Sequence, residues 1–228
     1  MTEKTNVSHW IGGEWVGSAR TSQSVNPATG EVIGTYADAD LAVGEAAIET
    51  AVRAFREGDW RLDPMRRATA LSHLADAYAA RLDEVVDTLC RENGKLRREA
   101  AFEAHFILRA LRFASGLALQ PHGRVTDTQP GRQAMSIRQA VGVAGIVVPW
   151  NSPAYLCIRA LAPALAAGCT AVVKMPGQAA QSAALMCDIL GSVPELDAGV
   201  VNVVVESGSD VARLLVDSPD VPVISFTG

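Results

Sequence analysis

The chain has 228 residues, of which 49% are hydrophobic and 20% charged, and its formal net charge is -5. That is enough apolar material for one large domain or two small ones, and the acidic balance with no long basic run argues against a nucleic-acid surface. No apolar run reaches the length of a transmembrane helix, and the polar stretch Met1 to His9 lacks the apolar core of a secretion signal, so a cytoplasmic protein with no membrane association is expected.

In chain order, Ile11-Gly-Gly-Glu-Trp-Val16 reads as a hairpin on a glycine turn. Asn26-Pro-Ala-Thr-Gly30 is a second turn, followed by a short strand from Glu31 to Ile33. Helical spacing runs from about Asp40 to Arg56. Asp63-Pro64 opens a long helix, with Asp as N-cap and Pro in the first turn. Its apolar face continues through Leu71, Leu74, Tyr78, Leu82, Val85 and Leu89 to a stop at Asn93-Gly94. A third helix covers about Lys95 to Leu119. Gln120-Pro-His-Gly123 breaks it, Thr126 to Gly131 is turn-rich, and Ala134 to Val141 reads as an extended strand. None of the four cysteines (Cys90, Cys157, Cys169, Cys187) shows a metal-ligand spacing, and all four read as reduced thiols.

Beyond Val141 the pattern changes. Four short apolar runs, Val143–Val148, Thr170–Val173, Val200–Val205 and Val221–Phe226, alternate with helical segments at Ala154–Ala167, Gln178–Leu190 and Asp210–Val216. Continuous Val/Ile runs suit strands buried on both faces, and the alternation argues an α/β fold with a parallel sheet. Ligands bind beyond the carboxyl ends of such strands. Trp150-Asn151 comes after the first strand. Lys174 and then Pro176-Gly177-Gln178 close the second. Ser207-Gly208-Ser209 comes after the third, and Thr227-Gly228 after the fourth. This polar rim with one cation suits a nucleotide, although the G-x-G-x-x-G fingerprint is missing. Asn151 lies between Pro149 and Pro153, and each proline restricts the backbone around it. Two readings stay open for it: a helix-capping amide, or a rigid N–H donor for a developing oxyanion.

The ordered stretches Ile11–Val16, Asn26-Pro-Ala-Thr-Gly-Glu31, Glu92-Asn-Gly-Lys95, Val147-Val-Pro-Trp-Asn151, Ala162-Pro-Ala-Leu-Ala-Ala-Gly168, Val172-Val-Lys-Met-Pro176 and Phe226-Thr-Gly228 resemble the N-terminal portion of an aldehyde dehydrogenase. The resemblance covers nearly the whole chain. It implies a Rossmann-like NAD(P)-binding domain and oxidation of an aldehyde to a carboxylic acid with NAD or NADP, through thiohemiacetal and thioester intermediates. It divides the chain into a hairpin and helical part (1–122), a bridging and oligomerisation strand (123–141) and the cofactor-binding sheet (142–228). A homodimer or homotetramer is implied.

Carried over residue by residue, Asn151 matches the oxyanion donor and Lys174 the lysine at the adenosine ribose. Val147, Val148, Pro149 and Trp150 match the nicotinamide-side channel. Gly177 and Gln178 come after the lysine at the strand end. Gly208 and Ser209 match the loop beside the adenine, and Thr227 and Gly228 the segment facing pyrophosphate and nicotinamide. Ser152, Leu156 and Arg159 fall at substrate-facing positions, and the Arg159 pattern resembles branches acting on aromatic aldehydes. The family nucleophile and general base lie past Gly228, so these 228 residues alone are expected to be inactive. The family often has Glu where this chain has Gly177, and its absence implies better tolerance of NADP. Glu206 and Ala212 also stand where glycines are usual. Two alternatives are a non-catalytic nucleotide-binding or dimerising module, and a CoA-acylating or acyl-phosphate-reducing relative.

Overall fold

The structure, a computed structural model, describes residues 5–120 and 123–228. Met1 to Lys4 of the polar N-terminus, and Pro121-His122 of the break after the third expected helix, lie outside them. A small sheet comes first: β1 (Thr5–Val7) pairs parallel with β5 (Val32–Ala37), which pairs antiparallel with β4 (Thr21–Val25). The expected hairpin forms from β2 (His9–Ile11) and β3 (Glu14–Val16). Its turn needs both glycines, since Gly12 and Gly13 have φ of 65° and 84°, where L-residues are strained.

Four helices come next: α1 (Leu41–Glu57), α2 (Pro64–Ala80), α3 (Leu82–Asn93) and α4 (Arg97–Ala118). Asp40 caps α1 by accepting the Val43 N–H at 3.0 Å, and Asp63 caps α2 by accepting the Arg66 N–H at 2.9 Å. The long helix expected after Asp63 is two helices. At Arg81 the backbone leaves helical geometry (φ -115°, ψ 22°), and its N–H turns back to the Tyr78 carbonyl at 3.2 Å. Asp83 and Glu84 then open α3, acidic groups at a helix start, and Glu84 takes two hydrogen bonds from the Arg81 guanidinium at 2.7 and 2.8 Å. The break lets α2 pack on α4 and on the later helix Pro153–Ala166, while α3 reaches α4 and the later helix Ala180–Gly191.

The region expected to be a turn followed by one strand is instead a two-stranded ribbon, β6 (Arg124–Gln129) against β7 (Arg132–Ser136). Both strands are exposed along their whole length, which explains the missing apolar alternation.

The C-terminal part alternates β8 (Val143–Val147), α5 (Pro153–Ala166), β9 (Thr170–Pro176), a 3₁₀ turn (Gly177–Ala179), α6 (Ala180–Gly191), β10 (Val201–Glu206), α7 (Asp210–Asp217) and β11 (Val223–Phe226). The strand order is β11-β8-β9-β10-β2-β3, with the first four parallel and the hairpin added antiparallel at β10. The sheet is therefore mixed, because the N-terminal hairpin covers the edge that β10 would otherwise expose. α1 and α7 pack on one face, α5 and α6 on the other. His9 pins the added hairpin: fully buried, it accepts the Val205 N–H on Nδ1 at 3.2 Å. Burial lowers its pKa to about 4, against the opposing pull of Asp38 and Asp40. Between β8 and β11 the chain changes direction of winding, so the carboxyl ends of these strands form a topological switch point.

Candidate functional site

The sheet brings the four expected strand ends to one edge. β8 pairs in register with β9 (Val147 opposite Lys174) and with β11 (Phe226 opposite Val147), and β9 with β10 (Lys174 opposite Val204). The Thr227 N–H reaches the Val147 carbonyl at 3.4 Å, and the Val148 N–H the Lys174 carbonyl at 3.1 Å. Val147 and Val148 are buried beneath the rim, while Trp150, Asn151, Gln178, Ser207, Gly208 and Ser209 are exposed upon it.

The loop carrying Asn151 is held from the α3–α4 turn. Asn93 donates its side-chain N–H to the Trp150 carbonyl. Lys95 donates to Ser152 Oγ at 3.0 Å and is ion-paired with the buried Glu103. Glu103 Oε1 accepts the Tyr155 N–H at 3.1 Å, satisfying one donor at the start of α5 from a neighbouring helix. Ser152, not Asn151, is the N-cap residue of α5, and it makes no side-chain capping bond. The Asn151 amide has no protein hydrogen bond among the described residues, which leaves its N–H groups free for a ligand. With Ser152, it lines a cavity of about 610 Å³ whose walls include Phe102, Phe106 and Tyr155. The Phe106 and Tyr155 rings meet edge to face at 5.5 Å.

A second cavity, about 380 Å³, lies against the ends of β8, β9 and β10, with Trp150, Gly177, Gln178, Ser207 and Tyr36 in its wall. Gly177 is required there by close approach: a Cβ would lie 2.1 Å from the Tyr36 hydroxyl. Asp38 sits next to this wall. Its Oδ1 accepts the Ser207 N–H at 2.9 Å, and its Oδ2 accepts the Ser207 and Ser22 hydroxyls at 2.6 and 2.9 Å. Burial pushes the Asp38 pKa up, but these bonds and the Arg20 charge 3.3 Å away outweigh it and hold the carboxyl below its ordinary range.

Lys174 is buried with its Nζ 3.8 Å from Glu206 Oε2. Burial lowers the lysine pKa, and Glu206 and Asp38 pull it back up. Glu206 Oε1 accepts the Val211 N–H at 2.9 Å, taking one of the free donors at the start of α7 beside Gly208 and Ser209. Its Oε2 has no hydrogen-bond partner among the described residues.

Arg159 turns to Thr227, donating to its Oγ1 at 3.2 Å, and lies outside the Asn151 cavity wall, as does the half-buried Leu156. Gly228 is exposed beyond β11. Burial raises the Cys157 pKa to about 12 and that of Cys187 well above its ordinary value, so neither supplies a thiolate near neutral pH. Cys169 is buried and Cys90 half-buried. Sequence reasoning missed Tyr36, Asp38 and Glu103. They reach the site through tertiary packing from β5, its C-terminal end and α4. The only local signal was the polar Asn93-Gly94-Lys95 turn.

The model of the aldehyde dehydrogenase family matches residues 15–228. The chain is 35% identical over 232 residues to 2-hydroxymuconic semialdehyde dehydrogenase of Pseudomonas sp. (strain CF600), covering 97% of this chain and 47% of that protein. Among solved structures, an NAD-dependent aldehyde dehydrogenase from Sinorhizobium meliloti superposes with a TM-score of 0.93 at 28% identity, over 99% of this chain and 46% of that one. A salicylaldehyde dehydrogenase from Pseudomonas putida G7 complexed with salicylaldehyde gives 0.92 at 28% identity, over 98% and 47%. The chain spans about half the length of the relatives it matches.

Proposed function

This chain belongs to the aldehyde dehydrogenase family, and we propose that it supplies the dinucleotide site and the oxyanion donor for NAD(P)-dependent oxidation of an aldehyde to a carboxylic acid. The observation that carries the reading is the convergence of Asn151, Lys174, Ser207-Gly208 and Thr227 on one sheet edge at a switch point. The residues fit the cofactor: a buried lysine, an exposed glycine-bearing loop at the start of α7, and a cavity walled by Trp150, Gln178 and Ser207. When bound, NAD or NADP accepts the hydride. Lys174 orients the adenosine ribose, and Val147, Val148, Pro149 and Trp150 wall the nicotinamide side. Gly177, Gln178, Gly208, Ser209, Thr227 and Gly228 shape the path between.

Asn151 takes the chemical part. Held between two prolines, with its neighbours Trp150 and Ser152 tied to Asn93 and Lys95, the backbone that carries Asn151 is braced beside the cavity that this residue lines. A side-chain N–H donor placed there lowers the barrier to an oxyanion, an effect of about 3 kcal/mol where such donors have been removed. The Phe102, Phe106 and Tyr155 wall beside Asn151 and Ser152 supports an aromatic or otherwise large aldehyde, as in the salicylaldehyde-bound relative. Arg159, tied to Thr227, acts on the cofactor segment more than on substrate.

The chain's exposed ribbon, with Val125 and Met135 turned outward, supports self-association into a dimer or tetramer. Light scattering on the wild type and on Val125→Arg/Met135→Arg checks this, and equal masses oppose it. No helix among the described residues is long and apolar enough to cross a membrane, and the free cysteines accord with a reducing, cytoplasmic setting. No specific observation favours the non-catalytic or CoA-acylating alternatives. Calorimetric titration of the chain with NAD and NADP tests the proposal: binding by the wild type that is weakened about tenfold in Lys174→Met supports it, and no binding of either opposes it.

A further inference from the structure

The family's frequent carboxylate three residues after the lysine has no room here, because the Tyr36 hydroxyl stands 2.1 Å from where a Cβ on Gly177 would be. The charge that carboxylate would balance is balanced from the neighbouring strand instead. Glu206 closes β10 two register positions beyond the partner of Lys174, on the same face, and its Oε2 lies 3.8 Å from Lys174 Nζ. Glu206 is 1% exposed, its Oε1 is fixed by the Val211 N–H, and its Oε2 has no hydrogen-bond partner among the described residues. Asp38, bonded to the adjacent Ser207, adds a second negative group at the same strand end.

Resting on the proposed dinucleotide site, the geometry points to Glu206 as the residue that sets cofactor specificity, acting through Lys174 to favour a ribose 2′-hydroxyl over a 2′-phosphate. A lone lysine would attract the 2′-phosphate dianion. A lysine already neutralised by a fixed carboxylate does not, and that carboxylate repels the phosphate directly. A ribose hydroxyl needs only a donor and an acceptor, which the ammonium and its carboxylate surroundings provide. This inverts the expectation drawn from Gly177 alone, because the missing carboxylate is replaced across the sheet.

The test compares wild type with Glu206→Gln, which keeps an oxygen for the Val211 N–H and the side-chain shape while removing the charge. Affinities for NAD and NADP, and for 5′-AMP and adenosine 2′,5′-bisphosphate, are measured by calorimetry on the 228-residue chain. The wild type is expected to prefer the member of each pair without the 2′-phosphate by about tenfold or more, and Glu206→Gln to shrink that preference by about tenfold. General loosening of the fold weakens both members equally and leaves the ratio unmoved, so the ratio separates a charge role from a structural one. A wild type that prefers the 2′-phosphates, or a ratio unchanged in Glu206→Gln, overturns the assignment. Failure of the wild type to bind any of the four ligands overturns the dinucleotide site itself, and this assignment with it.

Discussion

His9 makes the fold acid-sensitive in a defined window. It is fully buried, its Nδ1 is committed to the Val205 N–H, and its Nε2 has no partner among the described residues. Its pKa falls from 6.5 to about 4 on folding, chiefly by burial. Between pH 6.5 and about 4 the unfolded chain carries a proton on His9 that the native chain does not. Stability is therefore lost as pH falls through that window and regained as it rises. The gap between the two pKa values corresponds to about 3 kcal/mol in full, and to about 2 to 3 kcal/mol between pH 7 and 4.5.

His9→Asn removes the titration while its side-chain oxygen still accepts the Val205 N–H. Urea denaturation of wild type and His9→Asn at a series of pH values isolates the histidine's contribution, because the carboxylates contribute equally to both. The wild type is expected to lose about 2 to 3 kcal/mol more than the variant on going from pH 7 to 4.5. Parallel curves would refute the reasoning.

Glu92 accepts the N–H groups of Gln181 and Ser182 at 2.7 and 2.9 Å, and the Ser182 and Ser24 hydroxyls at 2.9 and 3.1 Å, tying α3 to the start of α6 and to β4. Glu92→Ala strands these buried donors and is expected to cost about 3 to 5 kcal/mol in chemical denaturation, with Glu92→Gln costing less. Among the four thiols only Cys90 is partly exposed, so a thiol reagent should label one cysteine quickly in the native state and the other three only on unfolding. Rapid labelling of Cys157 would contradict its burial. Lys174→Met is expected to weaken NAD and NADP by about tenfold, read by calorimetry, through loss of a charged hydrogen-bond donor. It also leaves Glu206 buried without its cation, so its unfolding midpoint should fall.

The strands and the rim were legible because their signals are local. Val143–Val148 and Thr170–Val173 are unbroken apolar runs, and a short polar sequence marks the end of each strand. Asn151 was visible as an amide between prolines, but only the structure shows that it does not cap α5 and leaves its N–H groups free. The break at Arg81 was hidden because the apolar face runs through it unchanged. The ribbon was hidden because a two-stranded element exposed on both faces carries no period-two pattern. Tyr36 and Glu206 illustrate a different limit. From the sequence, Gly177 read as a lost carboxylate. The reason for the glycine lies far back in the chain on β5, and the replacement charge on β10 is adjacent only through strand register.

Hydrogen–deuterium exchange on the chain with and without NAD tests the central claim most directly. Slower exchange is predicted in segments covering 148–152, 174–179 and 206–212, where the ends of β8, β9 and β10 meet the bound dinucleotide. Unchanged exchange there, or protection confined to the separate cavity beside Arg67 and Arg138, would contradict the strand-end rim as the dinucleotide site.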